Sequence, residues 1–257
     1  MLDKNAIIAL SDGKVDVAVF DVTDSTNAEA KRCANEYLAS ENVRPRLFIA
    51  REQTMGRGRM GREFLSRADS GIYMSLLYFT GKPLSDAVSV TTAAATVVAL
   101  AIERVTGCGM KIKWVNDIYN DRGKVCGILA ETLQTSDGNI AVVVGIGINT
   151  GDIDFPDELK NIASSIGDIS GKEIELIAEI VKGLLTHADH PENRSYMDEY
   201  CKRFMLINEK VNLLQAGELV CSGTVKGVDD DGGLLFAPDG GDKIETIRSG
   251  EISVRIK

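Results

Sequence analysis

The run KVCGILAETLQTSDGNIAVVVGIGIN, from Lys124 to Asn149, decides the fold. Two apolar stretches, Val125 to Leu133 and Ile140 to Ile148, flank Thr135-Ser136-Asp137-Gly138-Asn139. Asp-Gly between two such runs signals a hairpin, because these residues tolerate the positive φ that a tight turn between twisted strands demands. A turn centred near Asp137 sets an antiparallel register that brings Lys124 to within a residue or two of Asn149. Two polar residues distant in sequence thus meet at the open end of an otherwise apolar strand pair.

Working outward, Lys111 to Trp114 reads as a short strand entering a polar turn, Val115-Asn116-Asp117. Ser85 to Thr106 is alanine-rich and apolar, and predicts one long buried helix. Gly71 to Phe79 alternates with Ile72, Met74 and Leu76 on one face, as a strand does. Arg46 to Arg51 and Val15 to Phe20 are further strands. Between them, Thr26-Asn27-Ala28-Glu29 has the spacing of a capping box, which starts a helix running to about Ser40. Downstream, helical patterns cover Glu173 to His187 and Asn193 to Phe204. From Ile207 the texture changes to five short runs, Lys210 to Leu214, Cys221 to Val228, Gly233 to Ala237, Lys243 to Ile247 and Ile252 to Ile256, separated by Gly and Asp; these predict a small barrel. Hairpins mixed with helices, in place of repeated strand-helix-strand units, predict an α+β fold with a mixed β-sheet over residues 1–206 and a small β-barrel over 207–257.

With 44% apolar and 26% charged residues the 257-residue chain is ordinary for a folded protein, and no stretch reaches the ~18 apolar residues a membrane helix needs. The start carries no secretory pattern. Cys33, Cys108, Cys126, Cys201 and Cys221 are scattered and odd in number, which predicts free thiols in the cytoplasm. His187 and His190 are the only histidines and lack a third ligand nearby, so they read as surface residues. A net charge of -9 opposes nucleic-acid binding by the surface as a whole. Any anion site must be local.

One local exception exists. Between positions 51 and 67, Arg51, Arg57, Arg59, Arg62 and Arg67 face only Glu52 and Glu63. Gly56-Arg57-Gly58-Arg59-Met60-Gly61 formally matches the dinucleotide fingerprint, but a strand follows where the crossover helix should be. Glycine lets backbone N–H groups approach a ligand, and guanidinium forks bind phosphate or carboxylate in pairs. Such a loop closes over a polyphosphate, so residues 55–67 are expected to be mobile without ligand and ordered with it, a difference that limited proteolysis reads.

Asp24-Ser25-Thr26-Asn27, Gln53-Thr54-Met55-Gly56-Arg57-Gly58-Arg59-Met60-Gly61-Arg62, Lys113-Trp114-Val115-Asn116-Asp117, Lys124-Val125-Cys126-Gly127-Ile128-Leu129 and Gly145-Ile146-Gly147-Ile148-Asn149 stand in the order and spacing of the biotin protein ligases, which the chain resembles over nearly its whole length. Gly250-Glu251-Ile252-Ser253-Val254-Arg255 resembles that family's SH3-like C-terminal domain. The resemblance implies a class II synthetase-like catalytic domain and a two-step reaction. Biotin and ATP, with Mg²⁺, give biotinyl-adenylate, and a lysine of a biotin carboxyl carrier protein then takes the acyl group. It implies Lys124, Arg57 and Arg59 as catalytic residues. For biotin it implies Ser25, Thr26, Asn27, Gln53 and Gly58 together with those three, and for ATP Arg59, Arg62, Trp114, Asn116, Asp117 and Asn149. Direct metal ligands are not readable, and the oligomeric state is left as monomer or homodimer. Met60, Phe64 and Val115 depart from residues usual in the family. With a short segment before the first strand, the DNA-binding domain of some relatives is not expected here. A lipoate or octanoate ligase and a non-catalytic biotin-binding module are the competing readings.

Overall fold

A computed structural model describes residues 2–36, 44–80, 87–134, 140–248 and 252–256. Its first sheet has seven strands in the order β1 (Asp16–Thr23), β2 (Arg46–Gln53), β3 (Gly71–Thr80), β7 (Ile140–Asn149), β6 (Lys124–Gln134), β5 (Asp117–Tyr119) and β4 (Lys111–Lys113). Only β1 and β2 run parallel, joined through α2 (Thr26–Glu36); every other pair is antiparallel. The sheet is therefore mixed, as the α+β reading requires. In the β6–β7 hairpin Cys126 pairs with Ile148 and Gln134 with Ile140, a register centred on Asp137 that puts Lys124 one residue from the position opposite Asn149. Residues 135–139, the expected turn, lie outside the described residues, as does the expected extension of α2 to Ser40.

Strand alternation splits this sheet into two unlike faces. One carries Val17, Leu47, Ile49, Ile72, Met74, Leu76, Val142, Val144, Ile146 and Ile148, all buried in the main core. Helices α1 (Lys4–Leu10), α3 (Ala87–Thr106), α4 (Glu173–Asp189) and α5 (Tyr196–Arg203) surround that core. In α4, Leu176, Ile177, Ile180, Val181 and Leu184 recur at helical spacing and are buried. The segment Val88–Thr106 is long and apolar enough to cross a membrane, contrary to the expectation that no such stretch exists, but 72% of it is buried inside the protein. It packs on α4, α5 and β6, and its apolar character is that of a core helix. The opposite face is covered over one half by α2, whose Ala30, Cys33 and Ala34 pack on Phe48, Leu77, Ala141 and Val143.

Some local expectations need correction. Helix α2 begins at Thr26, but Thr26 does not cap it; Gln53 Oε1 accepts the Thr26 N–H at 2.8 Å, and Glu29 instead takes the Thr23 hydroxyl at 2.7 Å. Asp117 belongs to strand β5 and not to a turn. Helix α1, capped by Asp3, was not anticipated. His187 is half-buried edge-on against Tyr196 instead of lying on the surface, and burial lowers its pKa.

The second sheet is antiparallel, in the order β11 (Glu245–Ile247), β10 (Leu234–Pro238), β9 (Glu218–Val228), β8 (Lys210–Gln215) and β12 (Ile252–Ile256), and forms the SH3-like unit. Trp114 joins the two sheets: its ring is 4% exposed, and its Nε1–H donates to the Gly232 carbonyl at 2.9 Å. Replacing it by alanine removes a large buried ring and leaves that carbonyl unpaired. We expect a loss of about 3–5 kcal/mol in urea unfolding. Circular dichroism is the probe of choice, since this is the only tryptophan.

Candidate active site

The uncovered half of the second sheet face is floored by glycine. Gly127 pairs with Gly147 across β6 and β7, and Gly145 pairs with Leu129 on the same face. A Cβ built on Gly145 would lie 2.0 Å from Asn27 Oδ1, and one on Gly147 would lie 2.5 Å from the Phe64 ring. One on Gly127 would lie 3.2 Å from Lys124 Nζ and 3.3 Å from Phe64. Three absent side chains thus create a shelf on which Asn27, Phe64 and Lys124 rest in that order. By strand spacing the two outer floor positions are roughly 8 Å apart.

At one end stands the N-terminus of α2. Ser25, Thr26 and Asn27 are all buried. Asn27 gives its two Nδ2 hydrogens to Glu131 Oε2 at 2.8 Å and to the Leu129 carbonyl at 3.3 Å, and its Oδ1 accepts from Ser75 Oγ at 2.5 Å. Gln53 Oε1 takes both the backbone N–H and the hydroxyl of Thr26, and its Nε2 donates to Ser66 Oγ at 2.9 Å. Asp24 is held well below the usual carboxylate range by hydrogen bonds from Arg32.

At the other end Lys124 Nζ meets Asp117 Oδ1 at 2.6 Å, an ion pair lying off the hydrogen-bond axis, with both side chains about three-quarters buried. The Lys124 backbone is clamped by Ile162 O and Ser164 N at 2.8 and 2.7 Å. Asn149 Nδ2 donates to the Ser164 carbonyl at 2.9 Å, which fixes the same loop. Arg59 donates to Asn116 Oδ1 at 2.9 Å, while Asn116 Nδ2 holds the Ile128 carbonyl at 2.8 Å. Burial lowers the pKa of Arg59, opposed by the Asp117 charge. Lys113 behaves alike: burial lowers its pKa and Asp117 opposes. A desolvated cationic cluster around one carboxylate is suited to receive a polyanion.

The arginine loop is a tight hairpin, with the backbones of Arg57 and Glu63 paired antiparallel and with Gly58 N to Arg62 O and Phe64 N to Gly56 O at 2.7 and 2.9 Å. Met60 sits in the left-handed region at φ 59°. Of the residues the sequence singled out, the structure gathers Ser25, Thr26, Asn27 and Gln53 at one end, and Lys124, Asp117, Asn116 and Arg59 at the other. Arg57 and Arg62 lie exposed on the hairpin. Trp114 belongs to the core, behind the turn that carries Asn116. The sequence reading passed over Ser75 and Glu131, and gave Lys113, though part of a quoted motif, no role. Ser75 and Glu131 are polar residues on the site face of apolar strands, an irregularity in alternation that could have marked them.

The shelf, running from a polar helix end to a cationic cluster, can hold an elongated ligand with a neutral polar head and an anionic tail. The family model described as "Biotin/lipoate A/B protein ligase family" matches residues 19–149, and "Biotin protein ligase C terminal domain" matches residues 206–255. A bifunctional ligase/repressor BirA of Bacillus spizizenii is 36% identical over 91% of this chain and 72% of that protein. The biotin--[acetyl-CoA-carboxylase] ligase of Paracoccus denitrificans is 29% identical over 86% and 94%. The biotin protein ligase of Aquifex aeolicus, solved in complex with biotin and ATP, superposes with a TM-score of 0.74 at 27% identity over 94% of this chain and 99% of that one. The chain belongs to the biotin/lipoate A/B protein ligase family. Its C-terminal unit and its relatives place it within that family among the biotin protein ligases.

Proposed function

We propose that the chain converts biotin and ATP into biotinyl-5'-AMP and transfers the biotinyl group to a lysine of a biotin carboxyl carrier protein. The observation that carries this reading is the glycine shelf, whose ends offer neutral hydrogen-bonding groups on one side and desolvated cations on the other. The bicyclic head of biotin enters the Ser25, Thr26, Asn27 and Gln53 end, where its ureido group meets complementary donors and acceptors. Its apolar chain runs along the shelf beside Phe64 and Gly58 and delivers the carboxylate to Lys124.

ATP enters as its magnesium complex, with its phosphates over Arg59, Arg62, Asp117 and Asn116, and with the adenosine toward Asn149 and the edge of Trp114. A carboxylate oxygen attacks the α-phosphorus, the bond to the β-phosphate oxygen breaks, and pyrophosphate leaves. Lys124, Arg57 and Arg59 neutralise the two anions as they meet and stabilise the charge that builds in the transition state. The neutral amine of the carrier lysine then attacks the acyl carbon, an amide forms and AMP departs. Closure of the arginine hairpin shields the mixed anhydride from water.

Biotin-dependent exchange of labelled pyrophosphate into ATP tests the first step. Exchange with biotin and none with lipoate supports the reading. Exchange with lipoate alone moves the substrate to the sister branch, and biotin binding without exchange makes the protein a sequestering module.

A further inference from the structure

Asn27 reaches the shelf with its amide orientation already decided. A carboxylate can only accept hydrogen bonds, so Glu131, 2.8 Å from Asn27, fixes the nitrogen of that amide away from the shelf. The Leu129 carbonyl takes the second amide hydrogen. Lys31 Nζ, on the next turn of α2, pairs with Glu131 Oε1 at 2.5 Å and keeps the carboxylate in place. The amide oxygen therefore lies over Gly145, with Ser75 occupying one of its two lone-pair directions.

From these contacts we infer that the Lys31–Glu131 pair is a positioning device that sets the polarity of the pocket and so its specificity. It makes Asn27 present an acceptor, which suits a ligand head bearing an N–H, as a ureido group does. It disfavours a head without one, such as the dithiolane of lipoate, which would leave the second lone pair of that buried oxygen unfilled. This inference rests on the biotin reading above. Neither Lys31 nor Glu131 touches the shelf itself; both act through Asn27. Without the carboxylate only the longer bond to the Leu129 carbonyl holds the amide, so the flipped orientation, which offers the NH₂ group to Ser75 and the ligand, becomes populated.

Calorimetric titration of the full chain with biotin, beside KM measurements for ATP, tests this. Glu131→Ala is expected to weaken biotin binding about tenfold, the scale of one misdirected buried hydrogen bond, with KM for ATP within about twofold of the parent. Glu131→Gln keeps a single acceptor oxygen, for which Lys31 and Asn27 compete; combined with Lys31→Met, which frees that oxygen for the Asn27 amide, it is expected to recover biotin affinity to within about threefold, since a neutral acceptor replaces a charged one. Equal biotin affinity in the parent and Glu131→Ala would overturn the inference. So would parallel losses for biotin and ATP, which mark a general structural role. If the parent itself bound no biotin, the underlying reading would fall and this inference with it.

Discussion

Lys124→Ala is expected to lower biotin-dependent pyrophosphate release by about 10²- to 10³-fold, the usual cost of removing one preorganised charged donor from a developing anionic transition state. The magnitude follows from position. Lys124 rests on Gly127 beside Phe64, within reach of the shelf, and its partner Asp117 holds it at 2.6 Å. Its backbone bonds to Ile162 and Ser164 do not depend on the side chain, so the variant should fold normally by circular dichroism. Asp117→Asn separates the two halves of the pair: it frees the lysine and removes a carboxylate, and should cost less than loss of the cation. Normal pyrophosphate release by folded Lys124→Ala would remove the lysine from the chemistry.

Gly145→Ala is expected to be the most damaging small change at the opposite end. A methyl group there would stand 2.0 Å from Asn27 Oδ1 and 2.8 Å from its Cγ. Asn27 cannot yield without breaking its bonds to Glu131, Leu129 and Ser75. Overpacking of this kind costs about 1–3 kcal/mol, and each polar group left unpaired adds about 1–3 more. Biotin affinity should fall by roughly 10²-fold or more, measured by calorimetry on protein whose fold has been checked. At Gly147 the nearest atoms to the same substitution all belong to the Phe64 ring, which can swing aside, so its effect should be smaller.

Much of this was legible in the chain. Asp-Gly between two apolar runs fixed the β6–β7 register, and with it the closeness of Lys124 and Asn149, without any three-dimensional information. The glycines at 127, 145 and 147 were visible as letters, but their use was not: only the register shows that they lie together on one face. The capping box failed because a side chain from a neighbouring strand, Gln53, captured the helix N-terminus, a tertiary contact that local spacing cannot report. The family resemblance offers Trp114 as a nucleotide contact, whereas its burial against Gly232 shows that much of its surface serves packing. Lys31, Ser75 and Glu131 escaped notice because each is unremarkable alone. Their meaning lies in a hydrogen-bond chain linking α2 to β3 and β6.

The most direct test of the central claim is mass spectrometry of a biotin carboxyl carrier domain incubated with the pure protein, magnesium and ATP, with biotin or lipoate in parallel. The account predicts an ATP-dependent increment of one biotinyl group on a single carrier lysine and none from lipoate. A lipoyl increment on a lipoyl carrier, or no increment while biotin remains bound, would contradict it.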